Sequence, residues 1–470
     1  MTPIGLDPVR YFDSDPAIRR IASELYAGVK ELPILSPHGH TDPAWFAENE
    51  PFPDPAKLLI IPDHYIFRML YSQGVSLEKL GINSLDGKFG EPDPEKVWGL
   101  FAENYYLFAG TPVANWFDHV LHEIFDIPEA LNAKSGNSIY TAIDQALKTP
   151  EFLPRNILDR FKIEVIATTD DATHSLAHHQ VIRDSDWKGR VIPTFRPDAV
   201  TNLAHSDWAQ NIHVLGELVG YELTSFPKYI SALEQRRAYF KSMGATATDH
   251  GVTSPYTNRL SRESANDMYQ SALSGKLNPG DDHSFSAHML MEMARMSTED
   301  GLVMQIHPGV FRNHNSQVFH QYGTDKGADI PIQTEYTHNL YALLNEFGND
   351  TRFNLIIFTL DETNYSRELA PLAGHYPALK LGPAWWFNDS IEGMTRFRQM
   401  TTETASIYNT VGFNDDTRAL LSIPARHDLS RRVDSNYLAG LVATHRIEIA
   451  TAREMSQALA YDLAKSAYNL

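Results

Sequence analysis

The chain has 470 residues, 43% of them hydrophobic, a composition that buries a sizeable core and is not that of a disordered protein. Lys and Arg number 40 against 59 Asp and Glu, and the formal net charge of −19 argues against nucleic acid as a partner, because phosphates require a basic face. Zero cysteines exclude disulfides, thiolate nucleophiles and thiolate metal sites, so any metal must be held by His and carboxylate.

No run approaches the roughly 18 consecutive apolar residues that span a bilayer. The start, Met1-Thr2-Pro3-Ile4-Gly5-Leu6-Asp7-Pro8, lacks the basic and apolar regions of a signal peptide, so a cytoplasmic protein with no membrane partner is expected. The first β-type run, Leu32–Leu35, reaches Pro37, which cannot donate to a ladder and marks its end. His38-Gly39-His40 follows, and a strand alternates its side chains, so both imidazoles aim the same way and make half of a metal site.

About 130 residues separate this run from the next, where a crossover helix and two loops need about 30, so something is inserted. Asp93-Pro94 reads as an N-cap and first turn, followed at helical spacing by Trp98, Phe101, Tyr105 and Phe108 and then by Trp116, Val120 and Ile124. The spacing predicts helices whose aromatic stripe is core rather than a ligand box.

Seven more runs follow, at Glu164–Thr168, Arg190–Phe195, Gly244–Thr248, Gly301–Ile306, Phe353–Leu360, Ala378–Leu381 and Val411–Asn414. Helical patterns lie between them. Ser225-Phe226-Pro227 opens one that stops at Gly244, and the capping-box spacing of Thr451 and Glu454 opens the last. Eight runs alternating with helices predict a parallel barrel, with a doubly wound sheet as the fallback.

Polar groups recur just after the runs, at the C-terminal mouth of such a barrel. They are Arg196 with Asp198, Asp249-His250, His307 with Arg312, Trp385-Trp386, and Asp415-Asp416-Thr417-Arg418. Taken singly, His307 and His250 read as satisfied core histidines, Asp416 as a loop or helix N-cap and one of the tryptophans as packing. His178, His179, His283 and His320 read as surface. Three arginines just past apolar runs in an acidic protein favour a shared anionic ligand. The sum is a carboxylate opposite two imidazoles around a divalent metal, with an arginine-rich wall suited to a small acid. An oxygen beside Asp416 is then either a hydrolytic water or a substrate hydroxyl.

Together these motifs resemble the uronate (glucuronate) isomerase family of the amidohydrolase superfamily. The matches are His38-Gly39-His40, Asp63-His64-Tyr65 with Arg68, Phe195-Arg196-Pro197-Asp198, Asp249-His250-Gly251, His307 with Arg312-Asn313, Trp385-Trp386-Phe387-Asn388-Asp389 and Asp416-Thr417-Arg418. The resemblance implies an α/β fold, a distorted (β/α)8 TIM-type barrel forming one domain over 1–470, with a helical insertion over 45–155 after the first strand. It implies interconversion of D-glucuronate with D-fructuronate and of D-galacturonate with D-tagaturonate. His38, His40 and Asp416 would hold a divalent ion, expected to be zinc, with no nucleotide cofactor. Asp416 would take the proton from carbon 2, giving a cis-enediol, and Tyr65 with Arg418 would shuttle a proton between the oxygens on carbons 1 and 2. His64, Arg196, Asp249, His307, Arg312, Trp385 and Trp386 would bind the uronic acid. A homo-oligomer is expected. The competing expectations are a metal-dependent hydrolase or decarboxylase of a small acid and a catalytically silent sugar-acid binder.

Overall fold

The computed structural model describes residues 6–87 and 93–470, so the first five residues of the leader reading on Met1–Pro8 lie outside the described residues. The strands are β1 (Ile34–Ser36), β2 (Ile163–Ala167), β3 (Asp170–Asp171), β4 (Arg190–Ile192), β5 (Phe195–Arg196), β6 (Ala247–Val252), β7 (Val303–Pro308), β8 (Val310–Phe311), β9 (Ile330–Pro331), β10 (Leu355–Ile357) and β11 (Leu379–Leu381). Apart from the β8–β9 hairpin, the ladders are parallel, in the orders β1-β2-β4 and β11-β10-β7-β6-β5-β3. Thr168 N donates to Ile192 O at 2.9 Å and Thr194 N to Thr168 O at 3.0 Å, which carries β2 on into β3 and β4 on into β5. The two sheets are therefore one surface. Its continuous aliphatic runs are what a parallel sheet buried on both faces requires.

A bridge from Leu381 to Thr410 adds the last run, and this run returns to the first. Ser36 Oγ donates to Asp415 Oδ1 at 3.0 Å and His40 N to Thr417 O at 3.0 Å. Gly412 at φ 76° and Asp416 at φ 39° bend the chain out of strand geometry here. These contacts stand where a ladder would close a barrel, and no closed eight-stranded ladder forms among the described residues. What holds is the α/β class, with parallel neighbours in the order the eight runs predict.

Two strands reach further than the hydrophobic pattern suggests. His250 and His307 lie inside β6 and β7 rather than beyond them, because the ladder pairs His250 with Ile306 and Gly251 with His307 before it ends at Pro308. Helix Phe226–Ser242 matches its predicted span, and Gly244 behind it adopts φ 101°. The last capping box does not form. Helix Ile449–Gln457 begins at Glu448 without a side-chain cap, which leaves Thr451 inside its first turn.

Between β1 and β2 the chain is helical. Asp93 caps helix Pro94–Glu103 by accepting from Glu95 N at 3.1 Å and Lys96 N at 3.4 Å. Trp98, Phe101 and Phe108 are buried, and Trp98 Nε1 donates to Gly136 O at 2.8 Å. The aromatic stripe is core, each ring contributing about 1.5–3 kcal/mol by burial. It packs in one cluster with Ile34, Ile163 and Ile166 of the sheet, which fixes these helices against β1 and β2.

The end of the sheet is tied to the helices by one buried ion pair. Arg398 Nε donates to Asp434 Oδ1 at 2.7 Å and Nη2 to Asp434 Oδ2 at 3.0 Å, while Nη2 also reaches Gly412 O at 3.2 Å. Removing one partner strands the other charge in the interior. Arg398→Ala is expected to cost about 3–5 kcal/mol, read as a lower denaturant midpoint at unchanged slope.

Candidate active site

His38 is buried and stacks on His307, ring centroids 4.6 Å apart at 20°, while His40 meets His38 edge-on at 5.5 Å. The Nδ1 of His307 faces Asp249 Oδ1 at 2.6 Å, which turns its Nε2 inward. That Nε2, His38 Nδ1 and Asp416 Oδ1 are buried without hydrogen-bond partners. Ligand atoms of His38, His307 and Asp416 lie within 4.8 Å of one another. Two imidazoles and a carboxylate, with His307 Nε2 and Asp416 Oδ1 unpartnered and His38 Nε2 3.5 Å from that oxygen, fit a hard or borderline divalent ion. His40 Nε2 stands 3.2 Å from the same Asp416 Oδ1, so the predicted His38, His40 and Asp416 do meet, with His307 as an added neighbour.

Asp416 is no helix cap, since the following helix, Ser422–Ala443, starts after Leu421. It sits in the left-handed region at φ 39°, and Trp385 Nε1 donates to its Oδ2 at 2.6 Å. Burial would raise its pKa, but His38, His40 and His307 around it hold the carboxyl well below the usual range, so it is ionised at neutral pH. Burial lowers the pKa of His40, and it lowers that of His64 to about 3, so both are neutral bases.

His64 and Tyr65 begin helix His64–Ser72, where Asp63 accepts from Tyr65 N at 2.8 Å. The inserted helices thus deliver a phenol and an imidazole to the sheet's edge. The His64 ring stacks on Tyr65 at 4.4 Å and meets Trp386 edge-on at 5.6 Å. Burial pushes the Tyr65 phenol well above its ordinary pKa, against the Arg426 charge.

Arg196, Arg312 and Arg418 all line one cavity of about 520 Å³ with these groups, but each already faces a carboxylate. Arg196 Nε donates to Asp198 Oδ2 at 2.7 Å, and its Nη1 lies 3.2 Å from Asp249 Oδ2. Arg312 Nη1 donates to Asp329 Oδ2 at 2.7 Å and Arg418 Nη2 to Asp325 Oδ2 at 3.4 Å. Gly251 makes room for the first of these: a Cβ there would lie 2.4 Å from Arg196 Nη2. Burial raises the pKa of Asp249, yet Arg196 and His307 outweigh it and hold the carboxylate well below its ordinary value.

The remaining histidines divide. His250 is a satisfied core histidine, its Nε2 3.0 Å from Thr248 Oγ1. His179, expected at the surface, is buried with Nε2 2.8 Å from Thr168 Oγ1, because its helix turns that face to the sheet. His178, His283 and His320 are exposed. Arg426, which also lines the cavity, was not found in the sequence, since it lies mid-helix with nothing to separate it from a helix face.

A parallel α/β scaffold with this pocket at the C-terminal edge of its strands defines a protein of the amidohydrolase-like class. The chain belongs to the glucuronate isomerase family, whose model matches residues 17–468. It is 54% identical to a uronate isomerase of Xanthomonas campestris pv. campestris (strain B100), covering 100% of each chain. Its fold matches a glucuronate isomerase crystal structure from Caulobacter crescentus with TM-score 0.97 at 52% identity, covering 99% of this chain and 97% of the other. A uronate isomerase from Thermotoga maritima matches with TM-score 0.92 at 28% identity, covering 98% and 99%. The hydrolase or decarboxylase alternative finds no support in these relatives.

Buried neutral histidines have a pH signature. His250, like His64, is lowered to about 3 by burial, so below about 6.5 the unfolded chain binds protons that the folded chain refuses. Stability falls as pH drops from about 6.5, and the loss per buried histidine approaches about 1.4 kcal/mol per pH unit. Denaturant titrations at about pH 7 and about pH 5.5 are expected to show a smaller decline for His250→Gln than for the unsubstituted chain.

Proposed function

We propose that the chain interconverts D-glucuronate with D-fructuronate, and D-galacturonate with D-tagaturonate, by proton transfer from carbon 2 to carbon 1 through a cis-enediol. The observation that carries the reading is one cavity shared by the ionised Asp416, the phenol of Tyr65 and the guanidinium groups of Arg196, Arg312 and Arg418. An aldose–ketose shift needs a base at carbon 2, an acid/base serving both oxygens and charge to hold the acid.

Asp416 Oδ1, buried and without a hydrogen bond, accepts the carbon 2 proton. Tyr65 moves a proton between the oxygens on carbons 1 and 2, and Arg418 supports it. Arg196, Arg312, His64, Asp249, Trp385 and Trp386 bind and orient the uronic acid. His38, His40 and Asp416, with His307 beside them, would hold a divalent ion, zinc in this reading, which supplies positive charge for the substrate's carboxylate and neighbouring hydroxyl. No nucleotide cofactor has a part. Residues 1–470 act as one unit, with 45–155 contributing His64 and Tyr65. Cytoplasmic residence and a homo-oligomer complete the reading; no helix among the described residues is long and apolar enough to cross a membrane.

Incubation of D-glucuronate with the zinc-supplemented protein is expected to yield the ketose, and absence of product overturns the reading. Tyr65→Phe is expected to lower kcat by about 10²–10⁴-fold with KM nearly unchanged. Asp416→Asn is expected to lose turnover and to lower the zinc retained after gel filtration, measured by elemental analysis.

A further inference from the structure

One buried cation in the cavity wall has no part in the chemistry above. Arg426 Nη1 donates to Asp389 Oδ2 at 2.5 Å and to Asp415 O at 3.3 Å, and its Nε donates to Ser422 Oγ at 3.2 Å. Its Cζ stands 3.5 Å above the Trp116 ring centroid and 5.9 Å from that of Tyr65. Trp116 in turn meets Tyr65 edge-on at 5.7 Å and 75°.

We propose that Arg426, tethered by Asp389, is a positioning residue that holds Tyr65 and Asp416 in register, an inference that rests on the isomerase reading. The two groups come from opposite sides of the pocket, one from an inserted helix and one from the bent last run. A single guanidinium touches the aromatic pair that aims the phenol and grips the carbonyl immediately before Asp416. Asp416 needs such a grip because its backbone is in the left-handed region at φ 39°. The Arg426 charge is also the main influence favouring an ionised Tyr65 against burial.

The pair is a poor choice for stability alone. Asp389 Oδ1 is buried without a partner, and well-packed apolar residues often replace a buried ion pair at no loss of stability. Cation and carboxylate are explained by what they hold in place.

The test is a kinetic cycle with D-glucuronate on the zinc-loaded, full-length protein. Arg426→Lys is expected to lower kcat by about 10–100-fold with KM within about threefold of the unsubstituted value. In a Tyr65→Phe background the same substitution is expected to cost clearly less in kcat than in the unsubstituted protein, since the share of its effect that passes through the phenol is already lost and only the share that passes through Asp416 remains. Asp389→Asn leaves the cation but loosens its tether, and a smaller loss in kcat with the same dependence on Tyr65 is expected; it decides the matter if Arg426→Lys does not fold. A full-sized loss in the Tyr65→Phe background, a loss confined to KM, or unchanged turnover in both variants overturns the inference while the isomerase reading stands. An unsubstituted protein that makes no ketose overturns both.

Discussion

The position of Asp416, the carboxylate at the centre of the pocket, depends on the buried carboxylate one residue before it. Asp415 accepts from Ser36 Oγ at 3.0 Å through Oδ1 and faces His427 Nε2 at 3.0 Å through Oδ2. It is 1% exposed, so both oxygens must be satisfied within the protein. This joins the last run to the first where no ladder does, and it does so directly beneath the histidine pair. With Asp415 anchored and Trp385 bonded to the next carboxylate, Asp416 has little choice of direction. The strain of its backbone is sustained by neighbours on three sides rather than by its own conformational preference.

Much of this was legible in the chain. The eight apolar runs follow one another in the sheet in the predicted order, because a parallel strand buried on both faces has to be continuously apolar. His38 and His40 were singled out because strand alternation would aim both one way; β1 ends at Ser36, and the chain just beyond it carries the pair into the pocket. The helical insertion was found because its length is incompatible with a single crossover and Asp93-Pro94 marks a helix start.

Other features were not legible, for physical reasons. Whether the last run closes onto the first depends on φ values at Gly412 and Asp416, which no hydrophobic pattern encodes. His307 looked like a core histidine on its own, and only the Asp249 bond to its Nδ1 turns the other nitrogen into the site. His179 was placed at the surface because a short polar helix gives little periodicity to read. Arg426 was invisible because its meaning lies in Tyr65 and Asp389, which are distant in sequence. The arginines were found, but the carboxylates facing them, Asp325 and Asp329 above all, belong to a polar loop with no signature.

Those pairings bear on how an acidic protein accepts an acid. None of the three guanidinium groups lies vacant; each has a carboxylate on it before any ligand arrives. On the proposed reading, entry of a uronate is a substitution, in which the incoming anion takes over from an aspartate and the aspartate's charge must find water or another donor. A neutral hexose of the same shape offers nothing to exchange, so the pocket can turn it away without a steric barrier.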